Sequence, residues 1–166
     1  MKKKRQYKVG DKVVEPGNVY RIFKIEKKKN GEGQLQKVIF FKPFFEAKNE
    51  SKIVCSIPVK NIRKIDLRRV LSKKELQELL GQLKKGIKLE SPTDAKELKE
   101  ILNLNDLTET VRVLKTLWKE KNTFENFSKS KKDVMDAATE SFAQELASVK
   151  GISLDKAREK IIQALK

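Results

Sequence analysis

Hydrophobic and polar residues follow two different periods along this chain of 166 residues. From residue 7 to residue 59, short runs rich in Val, Ile and Phe alternate with clusters of Gly, Asn and Lys, which is typical of strands joined by hairpins. We predict four or five strands, from the segments KVGDKVVEP, VYRIFKIE, LQKVIFFKPFF and KIVCSIPV, with connections at KKKNGEG and EAKNES. Strands this short and this close together predict a small barrel or a strongly curved sheet.

Two features of this β-rich segment have alternative interpretations. Phe40, Phe41, Phe44 and Phe45 could form a base-stacking platform, as in proteins that bind single-stranded nucleic acid. We favour packing and core positions, because a barrel this small needs most of its aromatic side chains inside. Lys27–Lys29 are expected at a hairpin tip, as a solvated cluster of charges.

After residue 58 the apolar residues recur every three or four positions, which indicates helices. Ser72 and Glu75 fit a capping box that opens KKELQELLGQL. Ser91 is expected to cap a second helix, which has Pro92 at its first position and runs through Leu102.

The third predicted helix covers 106–121, with Asp106 and Glu109 as a capping box. It carries an apolar stripe beside a basic one. The apolar stripe is formed by Leu107, Val111, Leu114 and Trp118, and the basic stripe by Arg112, Lys115 and Lys119. A core helix with a solvated flank and a helix that turns a basic face to a polyanion are both compatible with this pattern.

Two more helices are predicted at the end of the chain. Ser130 and Asp133 are expected to cap a long helix that Gly151 ends with a left-handed residue. Its core face is predicted to contain Val134, Ala138, Phe142 (or Ser141) and Leu146. SLDKAREKIIQALK forms the last helix. Strands followed by helices, without βαβ alternation, predict an α+β protein with a β module at residues 1–71 and a helical module at residues 72–166.

The charge of the chain favours an acidic partner. Lys and Arg number 39 against 23 Asp and Glu, a net charge of +16, which suits nucleic acid, an anionic membrane surface or an acidic protein patch. Most of the excess lies in residues 1–71, with 20 basic and 7 acidic residues, against 19 and 16 in the remainder. The two modules are therefore expected to present different surfaces.

The residues give little support for a catalytic or metal-binding function. The chain has no histidine and one cysteine, Cys55, and it has no phosphate-binding or dinucleotide-binding glycine motif. We expect a binding protein without cofactor or metal. The single cysteine lies in an apolar strand and suits a reducing compartment. The N-terminal MKKKR is not followed by an apolar stretch, and no run is long enough to span a membrane, so we expect a cytoplasmic protein.

Four segments, in order and spacing, resemble the CarD/CdnL family of bacterial transcription regulators. They are YKVGDKVVEP, SIPVKNIRKIDLRRVLSKKEL, ETVRVLKTLWKE and ESFAQELASVKGISLDKAREKI. The resemblance implies a Tudor-like or SH3-like β barrel that docks on the RNA polymerase β subunit, followed by a compact all-α bundle of about five helices that contacts promoter DNA near the opened bubble. Such proteins stabilise the open complex.

The resemblance also implies particular contact residues. For polymerase it points to Lys28 near the first hairpin, and to Ser56 and Pro58 at the last strand, where Ser56 lacks the basic side chain of the family. For DNA it points to Lys96 and to Lys132. We extend the DNA set to neighbouring residues that can contact phosphates: Lys99, Lys119, Ser128, Lys129 and Lys131.

The chain departs from the family at its DNA wedge. Family members carry a tryptophan followed by arginines before the second helix, where this chain has Ser91, Thr93 and Asp94. Trp118 matches a different family tryptophan that belongs to the helical packing.

The function we expect is a regulator that binds the RNA polymerase β subunit and, with weak sequence specificity, double-stranded promoter DNA, acting as a monomer. One alternative is a basic architectural protein that binds DNA or RNA without polymerase, and another is a protein-interaction adaptor with no nucleic-acid role.

Overall fold

The computed structural model describes residues 6–46 and 53–166. Within these residues, five strands precede five α-helices, which confirms the α+β class. The chain forms two compact units: one runs to Val70, and the other begins at Leu71 and includes residues 16–18. The basic segment MKKKR and most of the predicted connection EAKNES lie outside the described residues.

The β module is one antiparallel sheet with strand order β4-β3-β2-β1-β5. Its strands are β1 (Lys12–Glu15), β2 (Asn18–Lys29), β3 (Leu35–Pro43), β4 (Cys55–Pro58) and β5 (Arg68–Arg69), and a 3₁₀ helix (Val59–Lys64) precedes β5. One face of the sheet and this 3₁₀ helix enclose a core of Val13, Ile22, Ile39, Phe41, Ile57, Ile62 and Leu67. This burial of branched and aromatic side chains on one face is what makes the alternating pattern form a sheet.

Two strand boundaries differ from the prediction. The first strand begins at Lys12, because the backbone N–H of Lys8 donates to the Asp11 carboxylate at 2.9 Å and holds the preceding residues in a turn. The placement of Lys27–Lys29 at a hairpin tip was wrong, since β2 continues through Lys29. The tip is instead built by Asn30, whose side-chain oxygen accepts the N–H groups of Glu32 and Gln34.

Of the four clustered phenylalanines, only Phe41 belongs to the core. Phe40, Phe44 and Phe45 are half-buried, and the rings of Phe44 and Phe45 meet edge to face with centroids 4.9 Å apart. The packing interpretation therefore holds fully for Phe41, and Phe40 remains partly accessible on the other face of the sheet.

The helical module consists of α1 (Lys73–Leu83), α2 (Ala95–Leu102), α3 (Leu107–Thr123), α4 (Lys129–Lys150) and α5 (Leu154–Leu165). Helix α3 packs on α4, and α4 packs on α5. The fully buried large side chains of this core include Leu76, Leu114, Leu117, Phe142, Leu146 and Ile161. The predicted core face of α4 is confirmed, with Phe142 buried and Ser141 only half-buried.

Local hydrogen bonds confirm some predicted helix caps and correct others. The capping box of Ser72 and Glu75 is present in both directions. Helix α2 is capped by Asp94 and not by Ser91, because the Asp94 carboxylate accepts the N–H groups of the next turn. Helix α4 is capped by Ser128 and not by Ser130, two residues earlier than predicted.

The central helix α3 is capped by Asp106, as predicted. Glu109 does not complete a capping box; its carboxylate accepts hydrogen bonds from Arg112 at 2.9 and 3.0 Å. The apolar stripe is also displaced from the predicted line. Leu117 is fully buried, whereas Trp118 is only half-buried at the edge of the core.

The end of α4 follows the prediction. Gly151 has a φ of +67°, and its N–H donates to the Ala147 carbonyl at 2.9 Å. Ile152 donates to the same carbonyl, which completes the turn into α5.

Candidate protein-binding and nucleic-acid surfaces

The residues predicted to contact polymerase share the outer face of the sheet. Ser56 on β4 is in register with Phe40 on β3, and Phe40 is in register with Lys24 on β2. Pro58 lies two positions from Ser56, and Lys28 lies four positions from Lys24. Both are on the same face as Phe40, because side chains two and four positions apart along a strand point the same way. The structure therefore brings Lys28, Ser56 and Pro58 onto one surface around Phe40, which we call the outer-face cluster.

Phe40 is the residue of this cluster that the sequence analysis did not assign to a protein-binding site. The ammonium of Lys28 lies 4.8 Å from the centroid of its ring, and that of Lys24 lies 5.5 Å away. Such cation–π contacts hold flexible lysines against the ring. A β-bulge at Phe23 turns a second aromatic ring toward it, with centroids 6.4 Å apart.

The carboxylate of Glu26 lies between Lys28 of the outer-face cluster and the neighbouring Lys24. Glu26 forms an ion pair with Lys24, and its other oxygen is 3.7 Å from the Lys28 ammonium. The hydrogen bond from Lys24 is the main cause that lowers the pKa of Glu26. The surface is thus only weakly positive. It presents an aromatic ring, with a proline two residues along the edge strand β4 from Ser56.

The predicted DNA contacts fall into two groups. The first lies on α2 and at the start of α4, where Lys96, Lys99, Ser128, Lys129 and Lys132 are all exposed. Lys99 belongs to the last turn of α2. Lys119, on α3, belongs to a separate cleft that also contains Trp118.

Glu120 of α3 connects the starts of α2 and α4. Its carboxylate accepts the backbone N–H and the hydroxyl of Thr93, at 3.0 and 2.5 Å, just before the cap of α2. It also forms an ion pair with Lys131 in the first turn of α4. Because one buried carboxylate contacts both segments, the two helix starts lie side by side.

This arrangement changes what Lys131 can do. Its side chain is only 12 % exposed and that of Glu120 is 1 % exposed. Burial alone raises the pKa of the Glu120 carboxyl, but the hydrogen bonds from Lys131 and Thr93 outweigh it and leave this pKa below its usual value of 4.5. The Lys131 charge is therefore engaged inside the protein. Its predicted role in DNA contact stays a prediction.

The two helix starts differ as anion sites. The first turn of α2 contains the Asp94 cap and Glu97, whereas α4 is capped by the neutral Ser128 and has no acidic residue in its first turn. The partial positive charge of a helix N-terminus is thus offset in α2 and left available in α4. Ser128, Lys129 and Lys132 form what we call the α4 basic start.

Thr93 and Asp94, which the resemblance in sequence assigns to the arginine positions of the family, make hydrogen bonds within the protein. Thr93 is held by Glu120, and Asp94 caps α2. Ser91 beside them is exposed. The three residues that the resemblance assigns to the family wedge are thus small or acidic, and two of them make internal hydrogen bonds.

Comparison with known protein families shows to which family this chain belongs. The family model for the CarD C-terminal domain matches residues 75–162, more than half of the chain. The chain belongs to the CarD family. Members of the CarD family are transcription regulators, and the matched range covers nearly all of the helical module. A search of curated proteins found no match.

Two further observations concern sites outside these surfaces. In residues 6–46 and 53–166, no three His, Cys, Asp or Glu side chains are grouped so that they could hold a metal ion. Within the same ranges, no helix is long and apolar enough to cross a membrane. Cys55 of this CarD-family chain is a free, half-buried strand residue, and burial raises the pKa of its thiol.

Proposed function

We propose that this CarD-family regulator binds the RNA polymerase β subunit through the outer-face cluster of its β module, and promoter duplex DNA through the α4 basic start. Its role is to stabilise the open promoter complex. The observation that carries the proposal is the family match over the helical module, in which an exposed, acid-free helix start is available to phosphates.

The chemistry of the α4 basic start supports contact with the DNA backbone rather than with bases. Lys129 and Lys132 are exposed point charges, and the N–H groups at a helix start favour phosphate oxygens. Base recognition uses side chains that match donor and acceptor patterns in the grooves, and lysines on phosphates carry no such information. The binding is therefore salt-dependent and weakly sequence-specific.

The outer-face cluster supports a protein partner. A half-buried aromatic ring, an adjacent proline and lysines partly balanced by Glu26 combine apolar contact with modest charge. Protein interfaces favour aromatic centres with a charged rim, whereas nucleic-acid surfaces are strongly positive. Strand β4 also lies at the sheet edge, where a partner strand can pair.

The DNA half of the proposal is tested with the full chain and a promoter duplex, by measuring affinity as a function of salt. Replacing Lys129 and Lys132 by Gln is expected to weaken binding and to reduce the salt slope by about 2, one for each lost phosphate contact. The matched control is the double replacement of Lys156 and Lys160, two exposed lysines of α5, by Gln. Equal slopes for both variants would remove the α4 basic start from the interface.

The polymerase half is tested by titrating the full chain against the N-terminal lobe of the β subunit. Lys28→Glu is expected to weaken a saturable one-to-one complex, because it reverses a charge that lies beside the central Phe40 ring of the proposed surface. Lys37→Glu is the control, since Lys37 on β3 is in register with Lys27 and points to the other face. DNA binding without any complex with the lobe would favour an architectural nucleic-acid-binding protein instead.

A further inference from the structure

The helical module contains a cleft of about 680 Å³ that the proposed contacts do not use. Its walls are the end of α1 with the following residues 83–87, the α3 segment 115–122 and the end of α5. Cavities of this size commonly hold a small molecule or one unit of a polymer. Trp118, the single tryptophan of the chain, lines this cleft and is half-buried.

Lysines dominate the charge of the cleft. Lys84, Lys85, Lys115 and Lys119 line it, together with Lys166, and no Asp or Glu side chain is among its described lining residues. Lys121 adds a further cation, with its ammonium 5.8 Å from the centroid of the Trp118 ring. The positive charges around this cleft attract a polyanion, and they repel one another when the cleft is empty.

Four lysines of the cleft differ from Lys28 and Lys131 in having no acidic partner among the residues that the structure describes. Lys131 is paired with Glu120, and Lys28 lies beside Glu26. Of the residues that the structure describes, none forms an ion pair within 4 Å with Lys84, Lys85, Lys115 or Lys119. Their charges are available to a ligand.

We propose that this cleft binds single-stranded nucleic acid, with one unpaired base stacked on Trp118 and the adjoining phosphates held by the surrounding lysines. An aromatic ring beside a track of cations is the arrangement that proteins use for unpaired strands, because every base has a face that can stack and every phosphate carries a charge. An acidic peptide satisfies the lysines but has no group that requires the indole ring. A base within a duplex is stacked on its neighbours and cannot enter a cleft.

This inference goes beyond the proposed function. It uses none of Ser128, Lys129 and Lys132, and it concerns an unpaired strand instead of duplex DNA.

Trp118 itself reports on the cleft, because the chain has no other tryptophan. The experiment titrates the full chain with an oligodeoxythymidylate of about ten nucleotides and follows tryptophan fluorescence. We expect saturable quenching by the single strand and much weaker quenching by a duplex of the same length. Adenosine triphosphate is the third probe. If it saturates the quenching more tightly than the strand does, the ligand is a free nucleotide and the proposal for a strand is overturned.

Charge variants test the lysines. Replacing Lys85 and Lys115 by Gln is expected to weaken strand binding roughly tenfold and to lower the salt slope by about 1.4, since each phosphate contact to a single strand contributes about 0.7. The Lys156 and Lys160 double variant removes the same charge from an exposed face of α5 and is expected to bind normally. Equal weakening of both variants overturns the proposal, as does an unchanged fluorescence in the native chain.

The ring is tested with labelled oligonucleotide anisotropy, which does not depend on the tryptophan signal. Trp118→Leu is expected to weaken binding about 5- to 150-fold, and Trp118→Phe, which keeps an aromatic face, to restore part of it. If both folded variants bind like the native chain, no base stacks there. Promoter duplex binding by the same proteins reports on the α4 basic start, so failure of one site is distinguished from failure of the other.

Discussion

The two modules handle their charges in opposite ways. Residues 1–71 carry most of the net charge, yet Lys24 and Lys28 on the outer face of the sheet share Glu26 and lie over Phe40. Residues 72–166 have nearly balanced charge, with 19 basic and 16 acidic residues. Their structure nevertheless buries one ion pair, Glu120 with Lys131, and leaves a cleft whose described lining contains lysines and no acidic side chain.

The net charge of a segment is therefore a poor guide to the electrostatic field near any one of its surfaces. A carboxylate within 4 Å of an ammonium cancels most of its effect on a distant anion, and exposed pairs are further screened by salt. In the helical module many acidic residues lie on other faces, such as Asp133 and Asp136 on the exposed side of α4. Folding therefore places acidic and basic residues on different faces, although the net charge of the segment counts them together.

The largest expected effect comes from breaking the buried pair. Lys131→Ala leaves the Glu120 carboxylate buried without its cation and is expected to destabilise the helical module by about 3 to 5 kcal/mol. Lys129→Ala, two residues away and exposed, is expected to change stability by less than about 0.5 kcal/mol. Urea denaturation followed by Trp118 fluorescence measures both. Similar urea midpoints for the two variants would show that the buried pair contributes no more to stability than the exposed Lys129 does.

Truncation of the tryptophan has a smaller expected effect. A fully buried Trp→Ala change costs about 3 to 5 kcal/mol, and since Trp118 is only half-buried we expect about 2 kcal/mol for Trp118→Ala. Circular dichroism during urea denaturation measures it without the lost fluorophore. A loss as large as that of a core residue would show that the ring belongs to the core and not to a cleft.

Serine substitutions compare the two modules directly. Ser128→Ala removes the side-chain acceptor that caps α4 and is expected to cost about 1 kcal/mol. Ser56→Ala, at an exposed position of β4, is expected to be within about 0.5 kcal/mol of the native chain. Denaturant midpoints at fixed pH test the pair. Equal effects would contradict the assignment of Ser128 as the cap.

When salt is present, low pH is expected to weaken the buried Glu120–Lys131 pair and the exposed pairs of Glu26 to different extents. The folded pKa of Glu120 lies below its usual value of 4.5, so this group stabilises the protein above that value and the stabilisation is lost as pH falls through the folded pKa. Because Glu120 is buried, we expect this acid sensitivity to persist in about 1 M salt, where exposed pairs such as that of Glu26 are screened.

The measurement is a comparison of native chain and Glu120→Gln, unfolded in urea between about pH 6 and pH 3. The variant should lose part of the acid dependence at both low and high salt. Identical pH profiles would assign the acid sensitivity to other carboxylates.

How much of the fold the residues alone predict depends on the range of the interactions. The predictions of the α1 capping box and of the left-handed end of α4 were correct, because both features depend on contacts within about one turn. Ser72 interacts with Glu75, and Gly151 interacts with Ala147. The caps of α2 and α4 were placed three and two residues from their true positions. Both segments contain several residues that can cap. Residues next to the true caps are also held from a distant part of the chain, since Glu120 binds Thr93 and Lys131.

The binding surfaces show the same division. The resemblance in sequence identified the family and pointed to Lys28, Ser56, Lys96 and Lys132, all of which are exposed. It did not indicate that Phe40 lies at the centre of the outer-face cluster, since strand register decides that. It also placed Trp118 in the packing, whereas the structure places it on the wall of a lysine-lined cleft.

The α+β class, the order of the elements and the excess of positive charge can be obtained from the sequence, because they follow from local periodicity, capping and composition. The family came from the resemblance of four segments and from the match to the family model. Only the tertiary structure decided which charges are buried, which are balanced and which remain available. That distinction depends on contacts between residues far apart in the chain, such as Glu120 with Thr93 and Trp118 with Lys84 and Lys85 in one cleft.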